Sequence, residues 1–192
     1  MTKKRLICLL LLVLLTAGGG VLALRFPRPP RLPEGVESAV FVQIRQFPAQ
    51  YPDHFAQREA YPMVAVLDSA AEQEAFLAGL HPDDIDSVAA ALCFDEEAYR
   101  THTVLAAMFW DGCHTNPDWY YIRRFYWNEQ HGEHRLLITY VDPPHASYDQ
   151  AIQEYCAIVV LPKTDFAGQP VRAYVRWETP SPLTEWLYYQ RK

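Results

Sequence analysis

Four side chains in the middle of the chain are of types that bind metal ions or move protons: Asp111, His114, His131 and His134. Imidazole and carboxylate groups such as these, with Glu129 and Glu133 alongside, could hold zinc and activate water in a metal-dependent hydrolase. A metal site needs three or four ligands converging from rigid elements. His131 and His134 bracket an expected hairpin tip, where any polar loop displays such residues, and their spacing is not the HExxH of a metallohydrolase helix. Cys113 and His114 invite a thiolate–imidazole reading. Neighbours in extended chain point apart, however, and neither a glycine elbow nor an orienting acid accompanies them. The chain has no P-loop, no GxGxxG, no GxSxG and no SxxK, so the sequence assigns no catalytic residue, no resident metal and no cofactor.

Aromatic and arginine residues are the more informative group. Trp110, Trp119, Tyr120, Tyr121, Phe125, Tyr126 and Trp127 crowd one stretch, and a period of two forces large rings onto both faces of a strand. One set fills a core. The other, Tyr121, Phe125 and Trp127 with Arg123 between them, is either covered by the loop 46–61 and the C-terminal segment or exposed as a patch. Arg172 and Arg176 flank Tyr174 on one face of the last strand and could extend that surface. Exposed Trp, Tyr and Arg form the hot spots of protein interfaces, and the same rings stack on sugars. The candidate binding residues are therefore Tyr121, Arg123, Phe125, Trp127, Arg172, Tyr174 and Arg176.

The elements that position these residues follow from periodicity. From Ser38, Val40, Val42 and Ile44 alternate with Phe41, Gln43 and Arg45, a half-buried strand. Residues 46–61 lack a clean period and read as a loop, and Met63–Leu67 is a short apolar strand. Ser69-Ala70-Ala71-Glu72 fits a capping box opening a helix to about Leu80. Asp83 and Asp84 introduce a second helix, with Ile85, Val88, Ala89 and Leu92 on one face, and Asp95-Glu96-Glu97 opens a short third. Strands are then expected at Thr103–Trp110, Trp119–Trp127, Leu136–Val141, Tyr155–Leu161 and Val171–Trp177, with a hairpin loop at Asn128–Glu133 and a terminal helical turn within Leu183–Gln190. The order gives an α+β fold: a mainly antiparallel sheet of about seven strands, with two or three short helices inserted after the second.

The N-terminus carries a different signal. Residues 6–24 are uncharged, follow Lys3, Lys4 and Arg5, and stop at Arg25. As a helix they would reach ~28 Å, close to the ~30 Å of a hydrocarbon core. Residues 1–25 are thus expected to be a signal anchor, an N-terminal membrane helix with the C-terminal part outside the cytoplasm. Cleavage after Val21-Leu22-Ala23 or Thr16-Ala17-Gly18 is the alternative, leaving a secreted protein. Residues 26–36, with Pro27, Pro29, Pro30 and Pro33, form a stiff linker, and residues 37–192 a single globular domain. Beyond residue 25 the chain keeps 13 cations against 23 acids, a net charge of −10, which argues against a general affinity for nucleic acid. The membrane, through residues 6–24, and another extracytoplasmic protein are the expected partners. In an oxidising compartment Cys93 and Cys113 are the candidate disulfide, while Cys156, alternating with Ile158 and Val160, reads as a buried inert thiol.

The capped helix Ser69–Phe76 after an apolar strand, Phe94-Asp95-Glu96-Glu97-Ala98-Tyr99 leading into the next strand, a hairpin, Pro143-Pro144, and a strand ending Leu161-Pro162-Lys163 resemble a known domain. It is the small extracytoplasmic domain at the C-terminus of a bacterial protease-complex lipoprotein and of related anchored proteins, and the resemblance covers residues 62–178. Its Gly-rich turn after the central strand is replaced here by Asp111-Gly112-Cys113-His114, and no lipid-bearing cysteine is present. The resemblance implies an accessory or binding role beside another protein and carries over no catalytic residue. Three readings stand: a tethered, non-enzymatic module that binds another protein, a carbohydrate or cell-wall binding module using the same rings, and a hydrolase built on Asp111, His114, His131 and His134.

Overall fold

The computed structural model describes residues 31–45, 62–111, 120–141 and 153–178, the side chains of 111, 141, 177 and 178 excepted. The apolar span 6–24, most of the proline-rich stretch, the loop 46–61, Cys113, His114, Trp119 and the segment 183–190 lie outside the described residues. Among the described residues no helix is long and apolar enough to cross a membrane.

The chain runs β1 (Ser38–Ile44), β2 (Met63–Leu67), α1 (Ala70–Ala78), α2 (Pro82–Ala91), α3 (Glu96–Thr101), β3 (His102–Asp111), β4 (Tyr120–Asn128), β5 (Glu133–Val141), β6 (Gln153–Pro162) and β7 (Val171–Glu178). The α+β class and the mostly antiparallel pairing agree with the sequence. The single sheet does not: the seven strands form two sheets, β1-β6-β3-β2 and β4-β5-β7. All pairs are antiparallel except β5 with β7, which run parallel. The chain leaves the second sheet after β5, inserts β6 between β1 and β3 of the first, and returns as β7 beside β5. Strand periodicity carries no information about such a crossover.

The physical need for a second layer lies in β3 and β6, which are apolar on both faces and require cover on both. Leu105, Ala107 and Phe109 of β3 and Tyr155, Ala157, Val159 and Leu161 of β6 meet Tyr120, Ile122, Leu136, Ile138 and Tyr140 of the three-stranded sheet. Val104, Ala106 and Met108, with Cys156, Ile158 and Val160, point the other way, onto Phe76, Leu80, Val88, Leu92 and Tyr99 of the helical layer. The architecture is helices, four-stranded sheet, three-stranded sheet. Tyr120 is the aromatic centre of the inter-sheet core, with ring centroids 5.0 Å from Tyr155, 5.1 Å from Phe109 and 5.1 Å from Tyr140. Each fully buried side chain of this size contributes ~1.5–3 kcal/mol.

The helix starts follow the sequence with one change. Ser69 Oγ accepts from Glu72 N at 3.2 Å, but the Glu72 carboxylate bonds Asp68 N at 2.6 Å, one residue before the cap. α2 begins at Pro82, where Nδ1 of His81 accepts from Asp83 N at 3.3 Å, and in α3 Asp95 accepts from Ala98 N at 2.8 Å. The chain packs against the core before β1 begins. Pro33 accepts from Val36 N at 3.1 Å across a turn whose Gly35 has φ +77°, and Val36 is buried in the inter-sheet core. That φ favours glycine. The compact unit spans Leu32–Thr179.

Candidate functional site

The three-stranded sheet turns one face to the core and the other outward, and its register places each candidate residue. Tyr121 pairs with Thr139 and Ile122 with Ile138, and the pairing then shifts so that Arg124 stands opposite Leu137 and Phe125 opposite Leu136. Arg123 is the extra residue of a β-bulge. Because Leu136 and Ile138 are buried core residues, Phe125 points inward and packs on that core, whereas Tyr121 points outward. An unbroken period of two places Tyr121, Phe125 and Trp127 on one face; the bulge separates Tyr121 from the other two. Trp127 lies beside His134 at the tip end of the hairpin, with ring centroids 4.8 Å apart and an exposure of 38%.

The outward face carries Tyr121, Arg124 and Tyr126 from β4, Glu133, Arg135, Leu137 and the fully buried Thr139 from β5, and Arg172, Tyr174 and Arg176 from β7. The registers Tyr126↔Arg135↔Arg172 and Arg124↔Leu137↔Tyr174 set them in adjacent rows. Glu133 ties the rows together. Its Oε1 accepts from the Tyr174 hydroxyl at 2.7 Å and from Arg135 Nε at 2.6 Å, and its Oε2 lies 3.0 Å from Arg172 Nε. The carboxylate is only 7% exposed, shielded by the side chains that bind it rather than by depth. The Tyr174 hydrogen bond, then those of Arg135 with its charge and that of Arg172, hold the Glu133 carboxyl below its usual range against the opposing effect of desolvation. Burial and the same hydrogen bond push the Tyr174 phenol up.

Guanidinium groups cover the tyrosine faces. Arg124 lies over the Tyr126 ring at 4.6 Å and Arg135 over the Tyr174 ring at 4.8 Å. Tyr126 stands directly opposite Arg135 in the register. Arg123, Arg124, Arg172 and Arg176 are exposed, and Leu137 at the centre of the face is half-buried. Arg172, Tyr174 and Arg176 share a face as the alternation of β7 requires. Glu133, Arg124, Tyr126, Arg135 and Leu137 were not expected in the group. The signal for three of them is that the alternation of β5 extends back from Leu137 through Arg135 to Glu133, so the strand begins at Glu133 and not at Leu136.

The titratable residues considered for catalysis are not gathered by the described parts of the chain. His131 is exposed in the hairpin turn, its N–H directed to Asn128. His134 is wedged among rings, 4.9 Å from Phe166 and 5.8 Å from Phe125, with Nε2 at 3.1 Å from Gln169 Oε1. The Asp111 side chain and His114 lie outside the described residues, and among those described no group of three or more His, Cys, Asp or Glu could hold a metal. Cys93 is an exposed free thiol, and its candidate partner Cys113 lies outside the described residues. Cys156 is fully buried, and desolvation pushes its thiol up to about 12. A polar cleft of about 480 Å³ between the end of β1, the start of β6 and α2 is lined by Gln43, Arg45, Asp83, Asp84, Ser87 and Glu154. Asp84 there accepts from the backbone N–H of Arg45 at 2.8 Å and closes the end of β1.

No protein-family model, no curated protein and no solved structure matches the chain.

Proposed function

We propose that the chain is a membrane-tethered extracytoplasmic module, non-enzymatic, that binds another protein through the outward face of β4-β5-β7. The observation that carries this reading is the exposed set Arg124, Arg172 and Arg176 around the half-buried Leu137 and the tyrosines Tyr126 and Tyr174, with one shielded carboxylate, Glu133, holding Arg172, Tyr174 and Arg135 together. Tyrosine and arginine at a rigid site, surrounding an apolar centre, have the composition of an interface hot spot. Such a lattice is ordered before a partner arrives, which lowers the entropy lost on binding. The uncharged run 6–24 after Lys3, Lys4 and Arg5 supports the tether. The reading accords with the accessory role implied by the resemblance over residues 62–178. Against sugar stacking, the tyrosine faces that would receive a ring already carry guanidinium groups.

The test is mild crosslinking of the full chain in its own cells and purification of what is held. The wild type retains a discrete protein, and Arg124→Glu/Arg172→Glu/Arg176→Glu loses it while still unfolding in a single cooperative transition. Retention of the same protein by the triple variant, or capture of nothing by the wild type, refutes the proposal.

A further inference from the structure

We infer that the partner presents a short acidic segment to this face, its carboxylates paired with Arg124, Arg172 and Arg176; the inference rests on the binding role proposed above. Charge complementarity carries it. Among the described side chains on the face, Arg124, Arg135, Arg172 and Arg176 stand against the single carboxylate of Glu133. Glu133 is fully committed, with Arg135 and Tyr174 on one oxygen and Arg172 on the other. It therefore holds Arg135 and Arg172 in place, and its one negative charge does not neutralise the four positive ones of these side chains. The Arg172 Nε lies 3.0 Å from Glu133 while the side chain as a whole is 66% exposed, which leaves its guanidinium open to an incoming carboxylate, the group such a fork binds in bidentate fashion.

The rest of the molecule limits what this patch receives. The chain as a whole has a net charge of −6, so a long polyanion or an anionic bilayer laid across the patch would meet repulsion beyond its rim. Base stacking on Tyr126 and Tyr174 is disfavoured, because Arg124 and Arg135 lie over those rings at 4.6 and 4.8 Å. A short peptide meets the positive rows alone. Arg172 and Arg176 are four residues apart on one strand, ~13 Å at strand rise, and an extended peptide repeats that distance between acidic residues four apart. Leu137, half-buried between the arginine rows, offers contact to an apolar residue between the acids.

The experiment uses the full chain in detergent micelles and a fluorescent synthetic peptide that alternates glutamate with threonine, its glutamine counterpart serving as the uncharged control. The glutamate peptide binds saturably, more weakly as salt rises, and the glutamine peptide does not. Arg172→Ala/Arg176→Ala weakens binding by about tenfold or more, while Arg100→Ala, which removes an equally exposed arginine from α3, leaves it unchanged. Equal binding by the double variant and the wild type, or equal binding of the two peptides, overturns the inference. So does tighter binding of a labelled single-stranded oligonucleotide that depends on the same arginines. If the peptide fails while the crosslinked protein is still captured and still lost on triple charge reversal, the binding face stands and the acidic segment falls. If both fail, both proposals fall.

Discussion

Deleting Arg123 tests the bulge on which the sidedness of β4 depends. In the observed register the pairing steps from Ile122↔Ile138 to Arg124↔Leu137, and Arg123 is the residue inserted between them. Its removal leaves every other pair and every face unchanged, so the loss of stability stays within about 1 kcal/mol, the scale of a surface interaction and a local change of twist. An unbulged strand behaves otherwise, because losing one residue slips the register and turns one half of the strand over. Either Tyr120 and Ile122, at 4% and 2% exposure, or Phe125 would leave the core. The smaller of these losses is set by Phe125. A fully buried phenylalanine truncated to alanine costs ~3–5 kcal/mol, and Phe125 is half-buried, so its expulsion alone costs about 2 kcal/mol. Urea unfolding of the full chain, followed by far-ultraviolet circular dichroism, separates the outcomes when Phe125→Ala is run beside the deletion. A deletion as destabilising as Phe125→Ala, or more so, refutes the bulge and the assignment of Tyr121 and Phe125 to opposite faces.

Three other outcomes follow from the same structure. The Glu133 carboxyl is held below its usual 4.5 in the folded state, chiefly by the Tyr174 hydroxyl, so its stabilising effect is full above that value and disappears as pH falls through the lower native one. The gap in melting temperature between wild type and Glu133→Gln is therefore widest near neutral pH and closes on acidification below about 4.5; a gap independent of pH contradicts the network. Ile138→Ala, at 0% exposure in the inter-sheet core, costs ~2–5 kcal/mol in chemical denaturation, whereas Leu137→Ala on the outward face costs about 1 kcal/mol. Equal costs would mean that the two faces of β5 are not as described. With Cys8, Cys93 and Cys113 replaced by serine, the remaining Cys156 thiol, pushed up to about 12 by burial, stays unmodified by a thiol reagent at mildly alkaline pH until denaturant is added; modification at equal rates with and without denaturant contradicts its burial.

The elements were legible where one local pattern dominated. Ser69 and Asp95 declare their helices because a side-chain acceptor precedes an acidic first turn, and β3 declares itself central because Val104 to Phe109 is apolar on both faces. The same double-faced burial demanded a second covering layer, yet no local pattern states that β6 lies between β1 and β3 or that β7 pairs parallel to β5. Pairing is a property of the assembled chain. The outward sheet face was legible in part: Arg172, Tyr174 and Arg176 alternate regularly and stay together, whereas Phe125 and Trp127 fall on the face opposite Tyr121 because a single inserted residue reverses the phase of a strand. Glu133 was assigned to the hairpin loop, although its position two before Arg135 and four before Leu137 is in phase with the strand. What makes it central is convergence of Tyr174 and Arg172 from β7, a strand that begins 38 residues later.

The most direct measurement places a photo-reactive amino acid at one surface position at a time in the full chain and reads adducts in living cells. Positions 124, 172 and 176 sample the outward sheet face, while positions 74 and 86, exposed on α1 and α2, sample the opposite layer. The account predicts one discrete protein adduct from the sheet positions and none from the helical ones. Adducts from the helical positions alone, or the same adduct at equal yield from both sides, would contradict it.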